Sequence, residues 1–276
     1  MENALPRRRG TTIRQNLMHP YLVLNGTESR LQITLFDDSG LLCHQEYDVF
    51  GRAASILTPA LREILGKFDL KLADISGVAV ARGPGSFTGL RVVLATACGL
   101  CQSLHIPMAG LCSLYLLAHA PGQLLRGRLA VLTHSRRRQV YAQCFSLVGP
   151  EENILPAVSL GDPLPLLLDD MPAWISEMRP DCAVGSGVRA NMSYFQSTFP
   201  DIATLATSFD VPSPDALMSA ARCAEYGDTP ITPLYLRASD AEDNLDTIAK
   251  KIGLDPDEAK QRLEQFTTKD PTHNNS

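Results

Sequence analysis

Residues 75–91, ISGVAVARGPGSFTGLR, hold the reading that decides the fold. Ile75–Ala81 is apolar without alternation, the pattern of a strand covered on both faces. Arg82–Gly89 is glycine-rich and turns the chain, and Phe87–Leu104 reads as a helix. Glycines let backbone N–H groups approach a neighbour closely, and a helix start favours an anion. Gly83, Gly85, Ser86, Thr88 and Gly89, with Asn25, Gly26 and Thr27 of an upstream turn, are therefore candidates for a phosphate or nucleotide loop. The competing reading is a tight strand-to-helix turn capped by Ser86 or Thr88. Better-known loops fail on spacing. A Walker loop needs Gly-Lys-Ser/Thr. The dinucleotide fingerprint needs two residues before its last glycine, and three stand here. A hydrolase elbow needs glycine where Pro84 sits.

Upstream, Tyr21–Asn25, Leu31–Phe36 and Leu41–Val49 read as strands separated by the turns Asn25-Gly26-Thr27 and Asp37–Gly40. A helix over Arg52–Lys67 follows, its apolar residues at helical spacing. Downstream come a strand at Ile106–Gly110 and a helix at Ser113–Ala120. Three antiparallel strands extended by parallel ones through helical crossovers form an α/β order. It is the ribonuclease H-like order shared by the actin, Hsp70 and sugar-kinase superfamily. After Pro121-Gly122 the order partly recurs. Leu129–Thr133, Gln139–Leu147 and Ile154–Leu160 read as strands, and the Pro/Leu-rich segment Asp162–Pro172 leads to a helix at Ala173–Met178. Cys182–Gly185 reads as a strand and Pro214–Tyr226 as a helix. Two related lobes with mixed sheets are expected: residues 20–112, with the glycine-rich loop, and a smaller lobe at 113–238. The last part of the second lobe is free to pack back on the first. Residues 239–276 are a charged tail with helices expected at Ala241–Ile252 and Asp257–Phe266. Residues 1–19 carry Arg7, Arg8, Arg9 and Arg14 without an apolar core, which reads as a disordered leader, and Met18 is an alternative start.

The net charge of −5 gives no basis for tight autonomous nucleic-acid binding. No run of 18 uncharged apolar residues suggests a membrane span. Seven scattered cysteines read as buried thiols in a reducing, cytoplasmic setting rather than a disulfide framework. No two of the six histidines stand at the His-x-x-x-His spacing of a helical metal pair, so no metal is expected. Cys98-x-x-Cys101 falls inside a helix, away from the terminus that activates a redox thiol. Arg136-Arg137-Arg138 reads as a solvated turn, with contact to tRNA phosphate as the alternative. The helix 87–104 is apolar nearly all round, which calls for burial on two sides. Ile56, Ala60, Val92, Leu94, Ala95, Cys98 and Gly99 are therefore candidates for a partner face.

The run 82–114, RGPGSFTGLRVVLATACGLCQSLHIPMAGLCSL, resembles the hallmark segment of the TsaB (YeaZ) family. Pro233-Leu234-Tyr235-Leu236-Arg237, Arg136–Tyr141 and Val184-Gly185-Ser186-Gly187 are similar to further signatures of that family, in order over residues 20–237. The resemblance implies a non-catalytic partner of a TsaD-type subunit in tRNA threonylcarbamoyladenosine biosynthesis. It also implies a TsaE-type accessory ATPase as third member, tRNA met through the complex, and partner contact through helices 52–67 and 87–104. In isolation the same face is expected to pair two copies. No cofactor is required by the chain itself, and a nucleotide at the subunit interface stays open. Three departures weaken any hydrolytic role. Asn25, beside Gly26 and Thr27, stands where an acid is usual, Arg52 where a histidine is usual, and His134 where the second lobe usually has an acid. The alternative is a self-sufficient ATPase or small-molecule kinase of the same superfamily. A protease finds no Ser-His-Asp set or zinc pair by spacing.

Overall fold

The computed structural model describes residues 19–49, 51–149, 156–236 and 255. Strands β1 (Tyr21–Asn25), β2 (Arg30–Asp37) and β3 (Gly40–Asp48) form an antiparallel meander. β4 (Gly77–Gly83) and β5 (Met108–Cys112) join in parallel beside β1, giving the order β3-β2-β1-β4-β5. The crossovers α1 (Ala53–Lys67) and α2 (Phe87–Leu104) cover one face of this sheet. The other face takes α3 (Ser113–Leu124) and α7 (Pro214–Arg222). Alternation then explains the side chains. Leu22, Leu24, Val78 and Val80 point to α1 and α2, while Val23, Ala79 and Ala81 point to α3 and α7. Both sets are buried, which is why the sequence of β4 shows no polar alternation.

The second sheet contains β6 (Gly127–Arg136), β7 (Gln139–Leu147), β8 (Ala157–Ser159), β9 (Leu164–Leu167), β10 (Cys182–Val184) and β11 (Ala203–Thr204). Its order is β11-β10-β6-β7-β8, with β9 also on β7. Helices α4 (Met171–Met178), α5 (Ser186–Ala190) and α6 (Met192–Thr198) complete its core around Trp174 and Phe195. α3 lies between the sheets and touches β4 and β5 on one side and β6, β7 and β8 on the other. The expected ribonuclease H-like order is present.

Several boundaries differ from the sequence reading. α3 runs through Pro121 to Leu124, because a proline in the last turn removes little of the ladder and Leu125 N still donates to Pro121 O at 2.8 Å. The Pro/Leu-rich segment holds β9, whose Pro165 is tolerated on an edge strand. The strand expected at 154–160 is Ala157–Ser159, and the helix expected at 214–226 ends at Arg222. α5, α6 and β11 are too short to carry a readable period. α2 is long and apolar enough to cross a membrane, yet it lays Leu90, Val93, Leu94, Ala97 and Cys101 on the sheet. Packing groups the described residues up to Leu234 as one compact unit. The leader residues 1–18, Arg237 and the two expected tail helices lie outside the described residues.

Candidate functional site

The β1–β2 turn, the start of α3, the end of β6 and residues 207–212 surround a cavity of about 260 Å³. Its first wall is a fixed polar network. Asn25 Oδ1 accepts from Thr27 N at 3.2 Å and Thr27 Oγ1 at 2.9 Å, while Asn25 Nδ2 donates to Gln32 Oε1 at 2.8 Å. Gln32 Nε2 in turn donates to Glu46 Oε2 and to Pro212 O. Asn25 therefore holds the turn with both polar ends, a task that an aspartate could do only in part.

The glycine-rich loop lies against this turn. Ser86 N donates to Thr27 O at 2.6 Å, and Ser86 Oγ caps α2 by accepting from Gly89 N at 3.4 Å. A Cβ on Gly85 would strike the Thr27 carbonyl, and one on Gly89 the Gly26 carbonyl. These glycines serve a backbone-to-backbone approach. Of the loop, only Pro84 lines the cavity; Gly83 is buried, Gly85 half-buried, and Ser86 and Thr88 are exposed. Gly26 is held as closely, since a Cβ there would lie 2.9 Å from Val93 Cγ1.

Charge enters the cavity from residues the sequence reading passed over. Glu28 Oε1 accepts from Ser186 Oγ at 2.7 Å, and Ser186 Oγ accepts from His134 N at 2.8 Å. Burial, aided by the charge of Asp210, raises the Glu28 carboxyl to about 7 against the opposing pull of its Ser186 bond. Asp210 is compensated: Oδ1 accepts from Gly185 N at 2.8 Å, and Oδ2 accepts from Arg189 Nε at 2.7 Å. Thr133 Oγ1 lines the cavity, is buried, and has no hydrogen-bond partner. The result is a hydroxyl-lined cleft that also carries the Glu28 and Asp210 carboxyl groups and the Arg30 guanidinium, which pairs with Glu46. Among the described residues no three His, Cys, Asp or Glu side chains are grouped to hold a metal. Glu28 sits three residues past Asn25 in an ordinary turn, and Asp210 in a loop without a motif, so neither carried a signal. Only the resemblance at Val184–Gly187 pointed to this wall.

The expected partner residues divide by exposure. Ala95 and Gly99 are exposed on α2, Val92, Cys98 and Ile56 are half-buried, and Ala60 and Leu94 are core residues. The last two are corrected from partner face to core: they stand on the sheet-facing side of their helices and pack against it. Arg138 of the basic turn forms an exposed ion pair with Asp169 at 2.5 Å.

A family model described as TsaD, tRNA N6-adenosine threonylcarbamoyltransferase, matches residues 52–158. An uncharacterized protein of Mycobacterium tuberculosis (strain H37Rv) is 33% identical over 193 residues, 68% of this chain and 77% of that one. The tRNA threonylcarbamoyladenosine biosynthesis protein TsaB of Bacillus subtilis is 35% identical over 106 residues, 36% of this chain and 46% of its own. The chain belongs to the TsaB (YeaZ) family. The solved structure of YeaZ from Pseudomonas aeruginosa shares the fold, with a TM-score of 0.62 at 21% identity over 79% of this chain and all of that one. In this TsaB-family chain the hallmark glycines thus bind the β1–β2 turn, while the open cleft is lined by Glu28, Thr133 and Asp210.

Proposed function

We propose that the chain serves tRNA threonylcarbamoyladenosine biosynthesis as a non-catalytic subunit. It binds a TsaD-type catalytic subunit and activates it for threonylcarbamoyl transfer to the adenosine beside the anticodon. The observation that carries this reading is the outward side of α2. Only a third of this apolar helix is buried, and Ala95 and Gly99 leave room there for a second helix to approach closely. Asn25, an amide already committed to Thr27 and Gln32, supports the absence of ATP turnover. On this reading the protein works in the cytoplasm, meets tRNA through the complex alongside a TsaE-type ATPase, and needs no cofactor of its own. A nucleotide, where bound, sits between subunits. Without the catalytic subunit, two copies pair through the same α2 face.

The test is association of the full chain with the TsaD-type subunit, followed by calorimetry. Ala95→Glu and Gly99→Glu are expected to raise Kd by about a hundredfold or more with unchanged circular dichroism. Val158→Glu, on β8, is expected to bind as wild type does. Wild-type binding by both folded α2 variants sinks the interface, and magnesium-dependent ATP turnover by the chain alone would favour the kinase-like alternative.

A further inference from the structure

The carboxyl end of α2, the start of β5 and residues 228–230 enclose a second cavity of about 380 Å³. Three sulfur-bearing residues line it: Cys98, Cys101 and Met108. Cys98 Sγ lies 3.9 Å from Met108 Sδ, and Cys101 Sγ lies 3.7 Å from Pro107 O. Cys98 and Cys101 are three residues apart in α2, so they are neighbours on one side of the helix. Met108 and Cys101 are buried, and Cys98 is half-buried toward solvent.

We propose that this cavity is a binding site for a thiophilic monovalent cation, Cu(I), held by the Cys98 and Cys101 thiolates with the Met108 thioether as third donor. Thiolate and thioether donors select soft ions of this kind. Two sulfur atoms each about 2.3 Å from one ion and about 120° apart stand about 4 Å from each other, close to the Cys98–Met108 separation. His105 and Asp228 also line the cavity, but among the described residues no three His, Cys, Asp or Glu side chains are grouped to hold a metal, so tetrahedral zinc lacks its donors. A low-coordinate soft ion does not need them. On binding, two S–H bonds break, two S–Cu bonds form, and two protons pass to water. Copper enters and remains as Cu(I), so no oxidant or reductant takes part. Burial, and then the neighbouring Cys98, push the Cys101 thiol up to about 11.

The experiment titrates the anaerobic full chain with Cu(I) against bicinchoninate, a coloured competitor. Wild type is expected to withdraw one equivalent. The Cys98→Ser/Cys101→Ser variant is expected to bind at least a hundredfold more weakly, and Met108→Leu several-fold more weakly. Zn(II) is expected not to be retained in a parallel competition. Failure of wild type to compete, or equal affinity in the folded double variant, overturns the site. If the double variant does not fold, alkylation mapping of wild type with and without Ag(I) replaces it. Protection of Cys98 and Cys101 is expected, and protection of other cysteines alone, such as the exposed Cys223, overturns the proposal.

Discussion

Two glycine-rich turns follow central parallel strands in this molecule, and they do different work. The turn at Gly83–Gly89 leaves β4 and starts α2, and the turn at Gly185–Gly187 leaves β10 and starts α5. Each brings glycine against a carbonyl of its own sheet's leading strands. Gly85 and Gly89 meet Thr27 and Gly26, and Gly185 and Gly187 meet Leu132. The first turn ends in that contact and gives the cavity only Pro84. The second is tied to charged groups, Gly185 N to Asp210 and Ser186 Oγ to Glu28. A glycine-rich strand-to-helix turn therefore signals close backbone approach, and the groups around it decide whether a ligand site accompanies it.

Breaking the first turn should have the largest effect. Gly89→Ala drives a Cβ into the Gly26 carbonyl, where two backbones must separate. A loss of about 4 kcal/mol or more, or failure to fold, is expected in urea unfolding. If Gly89→Ala were neutral, the packing role of the loop would be wrong. The second turn should yield through its charge. Asp210→Ala leaves Gly185 N without its acceptor and Arg189 with only Leu205 O, at a cost of about 3 kcal/mol by the same measurement.

Glu28 gives the comparison a pH signature. Burial holds its native carboxyl up at about 7, above the ordinary carboxylate value of 4.5. Between those values the native state holds the proton more firmly, so stability falls as pH rises through this window and levels above it. Glu28→Gln removes this titration. Its stability should decline less than wild type's between pH 5 and pH 8, by about 2 kcal/mol, as read from paired denaturant curves. An unchanged slope would mean that Glu28 is ionised and solvated. The smallest effect is expected at Asn25. Asn25→Asp loses the donor to Gln32 Oε1 and should cost about 1–2 kcal/mol without creating ATP turnover. Turnover in that variant would show that only the acid was missing from a catalytic cleft.

The first half of the fold was legible because its elements are long and periodic. Leu57, Leu61 and Ile64 repeat along α1, and the β1–β2–β3 meander has clear turns. Beyond Pro121 the elements shorten, and a three-residue strand such as β10 has no period to read. Prolines at 163 and 165 hid β9, since they fit an edge strand only once β7 is in place to pair with it. For the helix pair, composition marked α1 and α2 as apolar, but apolarity has no direction. Packing on the sheet turned Ala60 and Leu94 inward and left Ala95 and Gly99 outward.

By itself, the sequence determined the order of the first sheet, the sharp turn at Gly83–Gly89 and an amide, not an acid, at Asn25. These are local properties, set by side-chain period, backbone freedom and residue type. Only the tertiary structure decided that the loop's glycines meet Gly26 and Thr27, that Glu28 reaches Ser186, and that Asp210 braces Gly185. Glu28 and Ser186 are 158 positions apart, and Gly185 and Asp210 are 25. No local propensity encodes such pairings. They exist because α3 and the two sheets bury enough apolar surface to hold the two turns across one cleft, where a carboxyl group removed from water answers to its new neighbours.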